Sequence, residues 1–169
     1  MAVYSIDELS EIISTNRKAG KIVGLCHGCF DILHIGHVRH FIAARGLCEM
    51  LFVSVTADQF VNKGPDRPVI PEQERAEILS NLKSISGAMI SQYPSAGEVL
   101  RRLKPSIYFK GQEYATSTDP RFLEEKEVAR EIGTEVRHTH EKVYSSSRII
   151  HAIRKPTASD VDRALKESE

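Results

Sequence analysis

Apolar positions along this chain change period repeatedly, and each change marks a switch between helix and strand. Ile6, Leu9, Ile12 and Ile13 recur at helical spacing behind Ser5-x-x-Glu8, which predicts a capped helix over 5–18, ended by Gly20. Short β-branched or aromatic runs predict five strands, at 21–26, 51–55, 88–90, 107–109 and 135–137. Helical patterns fill the gaps. They run from Val38 to Arg45, from Pro71 with Ala76, Ile78, Leu79 and Leu82 on a buried face, and over 96–103, 119–132 and 146–153. The segment Gly64-Pro65-Asp66-Arg67-Pro68 breaks either regular structure and reads as loop.

Alternating strands and helices predict an α/β, Rossmann-like fold: a parallel five-stranded sheet with helices on both faces, in a single domain. A length of 169 residues suits one well-cored domain. The expected bounds are 1–155, with a core over 20–153, and 156–169 as a polar tail or linker after the last helix. In such a sheet, ligands bind beyond the C-terminal ends of the strands, where the strand order reverses. The segments 26–37, 56–63 and 110–114 all follow predicted strands and are expected to converge there.

The first of these segments carries the densest chemistry. His34-Ile35-Gly36-His37 follows a strand and the turn Gly28-Cys29-Phe30-Asp31, and precedes a helix. Two imidazoles one turn apart beside the free amides of a helix start make a place for phosphates. Ser145-Ser146-Ser147-Arg148 offers hydroxyls and amides at a second helix start. Lys63 and Arg67 place two cations on the proline-rich loop, with Arg75 on the helix that follows and Asp58 nearby.

Competing readings arise from Cys26-His27-Gly28-Cys29. A redox pair would sit at the start of a helix. A zinc knuckle would want a cysteine where Arg39 stands, and a zinc finger a longer separation from His34 and His37. The cysteine pair therefore reads as part of a phosphate loop. With 23 basic and 23 acidic residues, the chain shows no electrostatic footprint for nucleic acid. It also has no apolar run long enough to span a membrane, and three cysteines form no disulfide framework. A cytoplasmic protein without membrane or nucleic-acid partners is the expectation.

Taken together, these residues resemble the cytidylyltransferase-like family of nucleotidyltransferases. The matching strings are 28–37, Lys63-Gly64-Pro65-Asp66-Arg67-Pro68, Pro71-Glu72-x-x-Arg75-Ala76-Glu77, Leu103-Lys104-Pro105, Lys110-Gly111 and Ser145-Ser146-Ser147-x-Ile149-Ile150. Within the family, the chain looks most like the heptose 1-phosphate adenylyltransferase domain of ADP-heptose synthesis. The resemblance implies transfer of NMP from an NTP to a sugar phosphate with release of pyrophosphate. A cytidylyltransferase for a polyol or alkyl phosphate such as glycerol 3-phosphate is the nearer alternative, and a non-catalytic nucleotide-binding regulatory module the more distant one.

Roles follow for matching positions. His34, His37 and Lys63 would be catalytic. Gly28, Cys29, Phe30, Asp31, Gly36, Arg75, Lys110, Gly111, Ser145, Ser146 and Ser147 would bind nucleotide, and Asp58, Arg67 and Gln112 the acceptor. Mg²⁺ would arrive with ATP or CTP through the phosphates, without direct protein ligands. The resemblance further implies a homodimer and a sugar kinase, fused or separate. Cys26-His27 and Gln112-Glu113 depart from the heptose pattern, beside the expected base and acceptor pockets.

Overall fold

Six parallel strands in the order β1-β4-β3-β2-β5-β6 organise the computed structural model, which describes residues 2–140 together with 149 and 150. The elements are β1 (Val3–Tyr4), α1 (Ile6–Lys18), β2 (Val23–Gly28), α2 (Ile35–Arg45), β3 (Met50–Thr56), α3 (Glu72–Ser80), β4 (Gly87–Ser91), α4 (Gly97–Leu103), β5 (Ile107–Gly111), α5 (Pro120–Glu131) and β6 (Glu135–Thr139). Single 3-10 turns follow β3 at Asp58–Phe60 and β5 at Gln112–Tyr114.

The central strands are covered on both faces, which explains their near-continuous apolar runs. On one face Phe41 and Ala44 of α2, with Ala76 and Leu79 of α3, pack on Cys26, Val53, Val55 and Phe109. On the other, Leu9 and Ile13 of α1, Val99 and Leu100 of α4, and Val128 and Ala129 of α5 pack on Val23, Leu25, Phe52 and Tyr108. β2 lies between β3 and β5, paired in register from Val23↔Met50 to Gly28↔Val55 and from Gly24↔Ile107 to Cys26↔Phe109. The strand order reverses between β2 and β5, so a crevice opens beyond Gly28 and Gly111.

The predicted architecture is present, with one strand more than expected. Two-residue β1 pairs with Ala88 and Met89 of β4, and so short a segment carries no periodicity of its own. The capping box at Ser5 and Glu8 is formed. Helix α2 begins at Ile35, three residues earlier than the sequence pattern indicates, because extended His34 (φ −140°, ψ 169°) serves as its N-cap. Pro71 is the N-cap of α3 and not its first-turn residue, and Leu82 falls beyond that helix. Of the helix predicted over 146–153, only Ile149 and Ile150 are described, both helical. Ser145, Ser146 and Ser147 lie outside the described residues, as does the tail 156–169. No helix among the described residues is long and apolar enough to cross a membrane.

Close packing at the sheet centre depends on Gly24, where an added Cβ would lie 2.6 Å from the Phe109 ring and 2.9 Å from Cys48 Sγ. Gly24→Ala is therefore expected to destabilise the fold by about 1–3 kcal/mol, the usual range for an overfilled core. A lowered urea midpoint at unchanged m value is the expected readout, and an unchanged midpoint would contradict the packing described.

Candidate active site

The crevice between β2 and β5 holds two stacked imidazoles. The rings of His34 and His37 lie with centroids 3.8 Å apart and planes 16° from parallel. His34 ends the extended chain, and its carbonyl accepts from the amides of His37 (2.9 Å) and Val38 (3.3 Å), which starts α2. The His34 ring does not cap the helix. His37 Nδ1 is buried and meets no hydrogen-bond partner among the described residues. A buried polar atom left in that state carries a free-energy cost, and a ligand in the crevice would relieve it.

Phe30 sets the stack from below. Its backbone takes the left-handed conformation (φ 50°), an arrangement disfavoured for a residue with a Cβ. That turn sends its ring edge-on to His37 at 5.5 Å and against Phe41 at 5.3 Å. The strained turn is held by Arg75, whose buried guanidinium donates to the carbonyls of Cys29, Thr56 (2.8 Å) and Ile70 (2.8 Å) and pairs with Asp58. Asp58 and Glu72 in turn accept from each other's backbone amides. A second clasp lies beside it. Asp31 accepts from Arg67 Nε (2.6 Å) and from the amides of Val69 (2.8 Å) and Ile70 (3.0 Å). The two clasps tie the loop carrying Lys63 to the turn carrying Phe30.

The far wall is a buried ion pair. Lys110 Nζ lies 2.8 Å from Glu125 Oε2, which also accepts from Tyr108 Oη (2.9 Å), while Glu125 Oε1 accepts from the amide of Ala96 (3.1 Å). The Lys110 ammonium sits over the rings of Tyr114 (4.6 Å) and Tyr108 (5.1 Å). Between the walls, His27 is bracketed by Ser54 (3.1 Å) and Thr56 (3.4 Å), and His40 by Thr139 (2.7 Å) and the Cys26 thiol (3.3 Å).

Burial governs the protonation of these groups. It lowers His37 to about 3, with help from His34, His40 and Lys63, and lowers His27 and His40 to about 4, with Lys110 adding to both. His34 is lowered by burial and by Lys63. All four rings are consequently neutral at pH 7. Burial alone would raise Asp31 and Glu125, but the donors on Asp31 and the Lys110 charge on Glu125 outweigh it and hold both carboxyls low. Burial pushes the Cys26 and Cys29 thiols up, which disfavours the thiolate that redox chemistry uses. Among the described residues, no three His, Cys, Asp or Glu side chains gather as a metal site.

A cavity of about 210 Å³ is lined by His34, His37, Gly28, Cys29, Phe30, Lys63, Lys110 and Gly111, so eight residues singled out from sequence come together. Gly36 lies in the first turn of α2 between the histidines. Asp31, Arg67, Arg75 and Asp58 are instead engaged with one another and with backbone, behind the cavity. Gln112 is exposed and lines neither this cavity nor its neighbour. Sequence reasoning passed over His40 and Glu125. Both had a signal: His40 stands three residues after His37 on the same helix face, and Glu125 interrupts the apolar face of Phe122, Val128 and Ala129.

Comparison with known proteins places this crevice in context. The bifunctional protein HldE of Syntrophotalea carbinolica is 37% identical over 114 residues, covering 66% of this chain and 23% of that protein. The HldE protein of Rhodopseudomonas palustris is 40% identical over the same length and shares. The chain thus spans less than a quarter of the curated relatives it matches. A crystal structure of a lipopolysaccharide core biosynthesis protein from Thermoplasma volcanium superposes with a TM-score of 0.62 at 25% identity, covering 73% of this chain and all of that one. The profile of the cytidylyltransferase-like family matches residues 25–152, which take in the C-terminal part of β2 and every element from α2 through β6. This chain belongs to the cytidylyltransferase-like family of nucleotidyltransferases.

Proposed function

We propose that the chain transfers NMP from a magnesium-bound NTP to a sugar phosphate, heptose 1-phosphate in the first instance, and releases pyrophosphate. The observation that carries this reading is the stacked, neutral pair His34 and His37 in a cavity that Lys63 also lines. Similarity to the HldE proteins and the resemblance to the adenylyltransferase domain of ADP-heptose synthesis support ATP and heptose 1-phosphate as substrates. A sugar kinase, fused or separate, would supply the acceptor.

The chemistry needs little covalent participation from the protein. A phosphate oxygen of the acceptor attacks the α-phosphorus. The bond from that phosphorus to the bridging oxygen breaks, and pyrophosphate leaves with the electron pair. Neutral imidazoles suit the task, since each donates one N–H to oxygens that gain charge and needs no proton transfer. Lys63 adds a cation at the same oxygens. Arg75 and the Asp31–Arg67 pair act as positioning groups: they hold the Phe30 turn and the Lys63 loop in one geometry through contacts with each other and with backbone.

Replacing His37 by Ala is expected to lower turnover by about 10²–10³-fold, as loss of one preorganised donor does elsewhere, with the fold intact by circular dichroism. Pyrophosphate release from ATP and heptose 1-phosphate measures it. Near-wild-type turnover, or tight nucleotide binding without release by the wild-type chain, would contradict the proposal.

Arg75→Lys keeps the charge and loses the fork that reaches three carbonyls and Asp58. It should lower the urea midpoint and, in the molecules that remain folded, the rate of pyrophosphate release; an unchanged midpoint would contradict the holding role.

The buried histidines also fix how stability depends on pH. In the unfolded chain they protonate near the ordinary value of 6.5, but folded His27, His37 and His40 resist protonation down to about 4, 3 and 4. Between these limits the unfolded state binds more protons, so stability falls as pH drops from about 6.5 to 4, by up to about 1.4 kcal/mol per pH unit for each group. Asp31 and Glu125, held low, add losses as pH falls through their ordinary carboxyl values, 3.8 and 4.5, and below. Urea unfolding from pH 7 to 4.5 should trace this decline, and a flat profile would rule it out.

A further inference from the structure

Helix α2 carries both imidazoles, so whatever fixes α2 on the sheet also places them. Its start is not pinned in the usual ways: His34 as N-cap makes no side-chain bond to it, and its first turn holds no acidic residue. Phe41 and Ala44 hold its middle on the sheet by apolar packing, which has no preferred direction. One polar side chain supplies a direction. His40, one turn beyond His37 on the same helix face, places Nδ1 2.7 Å from Thr139 Oγ1 and Nε2 3.3 Å from Cys26 Sγ. Cys26 lies in β2, and Thr139 ends β6 opposite Gly111 of β5. The ring therefore ties α2 to the two strands on either side of β5.

These contacts suit placement and not contact with substrate. A neutral imidazole has one donor and one acceptor. Both are engaged, so His40 lines the histidine cavity with no ring nitrogen left for a ligand. Cys26 is fully buried and does not line that cavity, and its thiol turns to α2. Thr139 is buried as well, so little water is at hand to replace its hydroxyl if the bond to His40 is lost. Misplacing a group at a reacting centre by about 1 Å costs up to about 10²-fold in rate. Loss of the bridge is therefore expected to appear in kcat.

We propose that His40 is a positioning residue for the histidine pair: bridging Cys26 and Thr139, it fixes the rotation of α2 on the sheet and with it the direction in which His34 and His37 meet the transferred phosphate. The assignment rests on the nucleotidyl-transfer reading and gives a role to His40 and Cys26, which that reading leaves unused.

The test uses the full chain and two readouts. Thr139→Val keeps the side-chain shape and removes the hydroxyl. In pyrophosphate release from ATP and heptose 1-phosphate, it should lower kcat about tenfold and leave both KM values within about twofold. Thr139→Ser, which restores a hydroxyl, should recover most of that loss. His40→Phe should lower kcat at least as far, and adding Thr139→Val to it should cost nothing more, as expected for two members of one contact. Thr134→Val is the control: its comparably buried hydroxyl donates to the Pro105 carbonyl (2.7 Å) just before β6, so its loss should lower the urea midpoint without changing kcat. Proton–carbon NMR reads placement without turnover, since the His37 ring signal should shift in Thr139→Val and not in Thr134→Val. A kcat within about twofold of wild type in Thr139→Val, losses that add in the double variant, or an unmoved His37 signal would overturn the assignment while the transfer reading stands. A His37 signal that moves in Thr139→Val, with no pyrophosphate released by the wild-type chain, would uphold the bridge and overturn the transfer reading.

Discussion

One buried guanidinium holds this site together. Arg75 reaches the carbonyls of Cys29, Thr56 and Ile70 and the carboxylate of Asp58, so a single side chain joins the turn after β2, the end of β3 and the entry to α3. Without it the Cys29 carbonyl would lose its partner, and the left-handed Phe30 would have less to keep it in that conformation. Phe30 in turn fixes the tilt of His37, and His37 fixes His34 by stacking. The placement of the two imidazoles is therefore tied to a residue that lies behind them. Burying a charge for this purpose is tolerable because every direction of the guanidinium fork meets an acceptor.

The same economy of charge runs through the crevice. Glu125 and Asp31 each gather several donors, and the histidines are kept neutral by burial. The interior thus holds many polar groups while exposing little uncompensated charge of its own. Lys63 stands on an exposed loop at the rim of the histidine cavity. A low-dielectric floor with fixed dipoles strengthens each contact made above it.

Much of this was legible in the sequence. Alternating periods identified the doubly wound sheet, and the spacing of Gly28, Phe30, His34 and His37 located the crevice before any coordinates. The roles of Asp31, Arg67, Arg75 and Asp58 were harder to read, because a cation near a phosphate site looks the same in sequence whether it faces the ligand or a neighbouring carbonyl. Burial makes that distinction, and burial of one residue depends on contacts with segments far along the chain: Arg67 and Asp31 are 36 positions apart. Glu125 escaped notice for a similar reason, since its partner Lys110 lies on a strand and only the fold brings the two together. Gln112 was placed near the acceptor by its neighbours in sequence, but the turn at Gln112–Tyr114 sends it outward and Tyr114 inward.

The central proposal is direct in-line transfer from the nucleotide to the acceptor, with no covalent enzyme intermediate. The stereochemical course at the α-phosphorus tests it most directly. With ATP chiral at a thio-substituted α-phosphorus and heptose 1-phosphate as acceptor, phosphorus NMR of the product would report the configuration. A single displacement predicts inversion. Retention, which requires two displacements through an enzyme-bound nucleotide, would contradict the account.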